Sequence, residues 1–313
     1  MKFLFRNTTS AWIFGIILGV FLGGSLAYPI PEYKGHLAPL GNGFSAILVS
    51  TNGPNILEMV FNKTITYSSA STTIVKHTDQ VEAVLNAYGT SKEILGESTV
   101  HGLLLNNVFK NSKAYALGLR TGDILSVPTA SKYLSIRSSV AKSSMYLQKS
   151  IRSGGEVDLF RKNKMVRTLR LPDAANEDVG FIEVASNVFP DGVSLPLNLI
   201  LANGSSSGLA LALYFLDLES PGSLAGNLSI AATGTILTSG KGNRVIAIGS
   251  LEDKYKAYER SKTDIMLIPA GNKYDSLPKD ADIEGRVYLV ENVEEAVKIL
   301  CKLGATDKLC EKF

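Results

Sequence analysis

The sequence is short of several things, and each shortage excludes a chemistry. Only two cysteines occur, Cys301 and Cys310, both near the C-terminus. Two are too few for a zinc site, and no histidine lies near them, so no metal is expected. An oxidising compartment permits a bridge that closes the tail. Spacing alone does not fix the geometry, so two separate thiols are an equally open reading. The net charge is only +3 over 313 residues, with no dense basic patch, which argues against nucleic acid as a partner. Nothing in the composition calls for a cofactor. Histidine is scarce as well: His36, His77 and His101 are the full set.

Charge is also missing from one long stretch. Lys2 and Arg6 precede the apolar run Trp12 to Leu22, and no charged residue follows Arg6 until Glu32. A basic start followed by such a run exports what comes after it. Two outcomes are open. Ser25-Leu26-Ala27 offers small residues at signal-peptidase spacing, so residues 1–30 can be removed. Alternatively the run approaches the roughly 20 residues that span a bilayer and stays as a membrane anchor. Either way the folded part is expected outside the cytoplasm.

The remaining chain is long enough for two domains, and a hydrophobic content of 45% supplies their cores. Residues 31–93 read as a β-hairpin region and linker. Tyr28 to Gly43 is a polar link, and Phe44 to Ser50 pairs with Ile56 to Phe61 around Thr51-Asn52-Gly53-Pro54. Thr64 to Thr73 reads as an exposed connection. In residues 94–172 the expected order is a strand from Gly102, a short helix, a glycine turn and a strand over Ser112 to Val127. A helix over Ser138 to Ile151 and a hairpin closing on Lys162-Asn163-Lys164 follow. This order resembles a PDZ domain, most specifically in Ala116-Leu-Gly-Leu-Arg-Thr-Gly-Asp-Ile-Leu, where Gly118, Gly122 and Asp123 match. The resemblance implies that a peptide adds as a strand beside Gly102, Leu103, Leu104 and Leu105, next to the helix around Val140 to Leu147. A PDZ fold that serves only as a spacer or lid is the other reading. Pro172 to Asp178 is a polar link, and residues 179–313 alternate strands and helices as an α/β domain.

Within that domain, Leu197 to Ala202 reads as a buried strand. The turn Asn203-Gly204-Ser205-Ser206-Ser207-Gly208 follows, and then a run too long and apolar for anything but a buried helix. Strand, sharp turn, helix exposes a side chain at the turn and aims helix N–H groups at a reacting oxygen. Ser206 is the candidate nucleophile, with Gly204 and Ser207 in support. A serine hydroxyl needs a base, and no histidine follows it in the chain, which excludes the usual hydrolase order. A lysine can serve if burial lowers its pKa. In Ser250 to Tyr258 a capping box, Ser250 with Asp253, is expected to start a helix. Leu251, Lys254, Tyr255 and Tyr258 then share one face, whereas Lys256 and Lys262 point elsewhere. Lys254 thus sits among residues that seek the core, as a general base or as a snorkelling lysine at the edge of the stripe.

Residues Val179 to Leu300 resemble the proteolytic domain of the Lon family of Ser-Lys peptidases. The closest likeness is to small exported members in which a membrane segment, a PDZ domain and a Lon-type domain follow in order. The family's G-P-S-A-G stands here as Gly204-Ser205-Ser206-Ser207-Gly208, its T-G-x-I as Thr233-Gly234-Thr235-Ile236, and its I-G-G-x-x-x-K as Ile248 to Lys254. The resemblance implies an α/β (α+β) fold, Ser206 as nucleophile and Lys254 as base, with Thr233 orienting the lysine amine. Serine replaces proline at 205 and alanine at 207, which loosens the turn and adds hydroxyls able to compete. Gly240-Lys241-Gly242 lacks the first glycine and the following Ser/Thr of a phosphate loop. The expected function is an exported, ATP-independent serine endopeptidase acting on extended or loosely folded polypeptide. A catalytically inactive PDZ binding or scaffold protein is the alternative, and self-association is left open.

Overall fold

The computed structural model describes residues 35–49, 64–66, 78–97, 99–196, 199, 204–237 and 243–313. In chain order they form β1 (Gly35–Gly41), β2 (Phe44–Val49), β3 (Thr64–Thr66), α1 (Thr78–Leu95), β4 (Gly102–Val108), α2 (Lys113–Ala116), β5 (Ile124–Ser126), α3 (Leu134–Arg137) and α4 (Val140–Ser153). There follow β6 (Glu156–Arg161), β7 (Lys164–Arg170), β8 (Val179–Val184), β9 (Ser194–Pro196), α5 (Gly208–Glu219), β10 (Ile230–Ala232), β11 (Thr235–Leu237) and β12 (Arg244–Ile246). The chain ends with α6 (Leu251–Ser261), β13 (Ile265–Pro269), β14 (Val287–Val290) and α7 (Val293–Lys302).

The main sheet has the order β1-β2-β10-β13-β14, with β1 antiparallel to β2 and the other pairs parallel. Its strands are apolar at nearly every position because both faces are covered. Alternate residues divide cleanly between two cores. Ala46, Leu48, Ile230, Ala232, Ile265 and Leu267 pack with α1 and α5. Ile47, Ala231, Met266 and Ile268 pack with Leu251, Tyr255 and Tyr258 of α6. Helix α5 is buried from Gly208 through Asp217. It lies between the sheet and α1, where Tyr88 meets Phe215 edge-on at 5.6 Å. An apolar helix with no wet face needs such cover on every side. Truncating Leu213 to alanine would cost roughly 2–5 kcal/mol.

The second sheet, β7-β6-β5-β4-β8, is antiparallel throughout. One face, with Leu103, Leu105, Leu125 and Leu159, packs on Leu147 and Ile151 of α4. Leu104, Ile124 and Val184 turn the other way and join the main core. The hairpin at Lys162 and Asn163 closes with both residues at positive φ, 52° and 59°, the two-residue turn that matches strand twist. Asp123 of the Leu-Arg-Thr-Gly-Asp stretch is buried and held by Arg161, whose Nε and a terminal nitrogen donate to its two oxygens at 2.6 and 2.7 Å.

Several expectations are corrected. Residues 31–93 were read as a hairpin and linker, but Gly35–Gly41, inside the supposed polar link, is a strand, and it is the partner of Phe44–Val49. Thr64–Thr66, expected within a connection, is a strand that pairs with Ser194–Pro196. The 18-residue helix α1 was not foreseen. Val179–Val184 pairs with β4, so it belongs to the second sheet and not to the start of the last domain. The strand through Gly102–Leu105 is present, but β5 takes one of its edges and β8 the other. A peptide has no backbone left to pair with there. The expected strands at Ile56–Phe61 and Leu197–Ala202 (save Leu199), the N-terminal apolar segment and Gly240 to Gly242 lie outside the described residues. Among the described residues no helix is long and apolar enough to cross a membrane.

Candidate active site

The site forms where the start of α5 meets α6. In α6 the spacing of Leu251, Lys254, Tyr255 and Tyr258 puts all four in the interior, while Lys256 and Lys262 are exposed. Lys254 is 3% exposed. Its Nζ donates to the Ile47 carbonyl of β2 at 2.7 Å and lies 3.0 Å from Ser206 Oγ. No carboxylate pairs with it among the described residues. Burial alone therefore acts on the amine and pushes its pKa down to about 8.

The expected capping box does not form. Ser250 sits in the left-handed region at φ 55° and makes no side-chain cap bond. The family pattern has glycine at this position, and a serine there holds strained backbone.

The nucleophile turn is fixed from several directions. Gly204 has φ +87°, which suits only glycine at little cost. A Cβ on Gly208 would press on the Gly234 carbonyl and the Ile236 amide at 3.1–3.2 Å, so the second glycine of the motif lets the helix start close to β11. The Ser206 carbonyl accepts from Gly234 N–H at 2.7 Å and from Thr233 Oγ1 at 3.1 Å. Thr233 was expected on the lysine amine. It instead holds the backbone of the nucleophile, and the Ile47 carbonyl takes the orienting position. Neither flanking serine competes for Lys254. Ser205 Oγ lies 3.1 Å from Thr235 Oγ1, and Ser207 Oγ, fully buried, donates to Gln80 Oε1 at 3.0 Å. Gly204, Ser206, Ser207, Thr233 and Lys254 are thus brought together. Gly102 to Leu105 lie apart, in the second sheet.

Gln80, the Ile47 carbonyl and Thr235 were missed by sequence reasoning. Ile47 acts through its backbone, and any residue there offers the same oxygen. Gln80 is remote in sequence from the turn, and nothing among its own neighbours marks it as a partner of that turn. Of the histidines, His101 faces Glu93, 3.2 Å away, next to the second sheet. No three or more His, Cys, Asp or Glu side chains cluster as metal ligands among the described residues.

A neutral amine 3.0 Å from a serine hydroxyl, on a turn that opens a buried helix, can take the hydroxyl proton and make the oxygen a nucleophile. Comparison with known proteins bears on the kind of domain that carries this turn. About a third of this chain is similar to Lon protease. The Lon protease of Buchnera aphidicola subsp. Schizaphis graminum is 34% identical over 110 residues, which is 34% of this chain and 13% of that protein. Those of Aquifex aeolicus and Wolbachia pipientis subsp. Culex pipiens are each 30% identical, over 110 and 107 residues, 13% and 12% of their lengths. No family model matches the chain. These similarities support a Lon-type domain within it.

Proposed function

We propose that this protein is a serine endopeptidase that uses Ser206 as nucleophile and Lys254 as general base. One observation carries the reading: Lys254 Nζ, buried and without a carboxylate partner among the described residues, stands 3.0 Å from Ser206 Oγ. The lysine takes the hydroxyl proton as Ser206 Oγ attacks a peptide carbonyl. It returns that proton to the leaving amine, and water then releases the acyl group. Backbone N–H groups at Ser206 and nearby are the donors for the developing oxyanion. The Lon protease relatives support a peptidase acting on polypeptide.

The substrates are extended or loosely folded segments, cleaved without ATP. The second sheet acts as a PDZ-like module that docks them. Its available backbone is the outer edge of β8, at the end of the sheet beside α4, where Ser144 Oγ donates to Glu183 at 2.6 Å and Gln148 also bonds Glu183. The site of action is outside the cytoplasm, a reading supported by the Cys301–Cys310 disulfide. Labelling with a serine-reactive phosphonate, in wild type and Ser206→Ala, tests the core of the proposal. Wild type should be modified at Ser206 alone and should degrade unfolded casein, and Ser206→Ala should do neither. Equal labelling of both proteins would refute it.

A further inference from the structure

We infer that Gln80, in the first turn of α1, is a positioning residue for the nucleophile turn. The inference rests on the Ser206–Lys254 reading above. Gln80 is 1% exposed, and both ends of its amide bond that turn. Nε2 donates to the Gly204 carbonyl, and Oε1 accepts from Ser207 Oγ at 3.0 Å. The partners fix which end is which, because a carbonyl can only accept. One side chain therefore holds the residues at −2 and +1 from Ser206.

The turn needs an outside restraint. Among the described residues, Gly204, at φ +87°, has no atom within 4 Å of where a Cβ would stand. Ser205 has no ring to fix φ, as a proline would. The bonds from Thr233 and Gly234 pin the Ser206 carbonyl from the β11 side only. Among the described residues, Gln80 is the group that restrains the Gly204 carbonyl and the Ser207 hydroxyl from the opposite side. Its hold on Ser207 also keeps a second hydroxyl away from Lys254. Without the amide, Ser206 Oγ leaves its line to the lysine, and a misplacement near 1 Å costs about 100-fold in rate.

The test is steady-state cleavage of a fluorogenic unfolded casein, together with the rate of phosphonate labelling. Gln80→Met keeps the length and loses both hydrogen bonds. It should lower kcat about 10- to 100-fold, slow labelling in parallel and leave KM within two-fold. The pH midpoint of the rate should stay where it is, because Gln80 does not touch Lys254. Ser207→Ala should lose roughly 3- to 10-fold in kcat. Added to Gln80→Met, it should cost almost nothing more, since both remove one shared contact. A folded Gln80→Met with wild-type kcat overturns the inference. So does a shifted pH midpoint, or losses that multiply in the double variant. Should Gln80→Met fail to fold, Ser207→Ala decides alone, because it deletes one oxygen, and wild-type kcat there overturns the inference as well. Equal labelling of wild type and Ser206→Ala would instead bring down the dyad reading first, and that result is independent of every Gln80 variant.

Discussion

Lys254 has two measurable consequences at the scale of a single side chain. The first is kinetic. The amine acts as a base only when neutral, so kcat/KM should rise with pH through about 8 and level off above it. Lys254→Arg stays charged and cannot act as a base. It and Ser206→Ala should each abolish turnover, with the double variant no worse than either. Replacing His36, His77 and His101 together should leave most activity in place. A folded but inactive triple variant would move the base elsewhere. The second consequence is thermodynamic. An amine near 8 in the folded state and 10.5 in the unfolded state means that the unfolded chain binds more protons between those values. Stability should therefore rise with pH across roughly 8 to 10.5, by an amount on the order of 3 kcal/mol, and be flat below 8 from this group. Lys254→Met removes the titrating group, so denaturant melts of the variant should lack that slope; an unchanged slope would assign it to other residues. Ser250 gives a separate test. Glycine relieves the left-handed strain, so Ser250→Gly should raise stability by about 1 kcal/mol in the same melts.

Single elements show what the sequence could and could not reveal. The face of α6 was legible because its 3.6-residue spacing puts Lys254 with Leu251, Tyr255 and Tyr258, and all four are buried. Helix α5 was legible because ten consecutive buried residues leave no polar stripe to mistake for a loop. The elements of the second sheet from β4 to β7 were legible in their chain order from the turn residues between them, but β8 was not, because Val179–Val184 reads as the start of the following domain. Helix α1 was not. Val81, Val84, Leu85 and Tyr88 stand at helical spacing in its first half, but Gly89, Thr90 and Ser91 interrupt the pattern, and polar Gln80 and Asn86 occupy buried positions because their partners come from far along the chain. Asn86 alone joins Ile236 of β11 to the Ala185 amide just after β8. The role of β1 was hidden by its glycine, histidine and proline, which read as a polar link, although its sheet partner β2 follows it directly in the chain; it is β2 that pairs with the distant β10. The disulfide could not be decided from spacing. It links Cys301 at the end of α7 to Cys310, across nine residues. It closes a tail whose Thr306 and Lys308 amides bond the Ser223 and Pro221 carbonyls beyond the C-terminus of α5. Loop-closure entropy for so short a loop is worth about 3 kcal/mol. Reduction should lower Tm by several degrees and leave kcat at low temperature within about two-fold, since Ser206 sits at the other end of α5. A loss of kcat matching the loss of Tm would show that the tail reaches the site.

Among the described residues a five-stranded main sheet carries a second five-stranded sheet inserted into it, with two-stranded sheets β11-β12 and β3-β9 beside them. The chain lays down β1 and β2, runs through α1, builds the second sheet over residues 102–184, and only then returns to the nucleophile turn, β10, β13 and β14. The ends of the insert are neighbours, because Gly102 pairs directly with Val184. Partners across an antiparallel pair are about 5 Å apart, a gap that a short glycine-serine linker spans. Residues 102–184 can therefore be excised as a unit. A cut at Ile94 and Leu171 would instead remove the last turn of α1 and strand β8 without a partner. Excision does expose the faces that met Leu104, Ile124 and Val184, so some loss of stability is expected. The dyad and its supports, Ile47, Gln80, Thr233 and Thr235, all stay in the remaining chain. The shortened protein should keep cleavage of a short fluorogenic peptide within a few-fold and lose most of its advantage on unfolded casein, chiefly through KM, because docking on β8 is gone. Parallel losses on both substrates, in a protein that still folds, would mean that the second sheet supports the site through α1 and does not capture substrate.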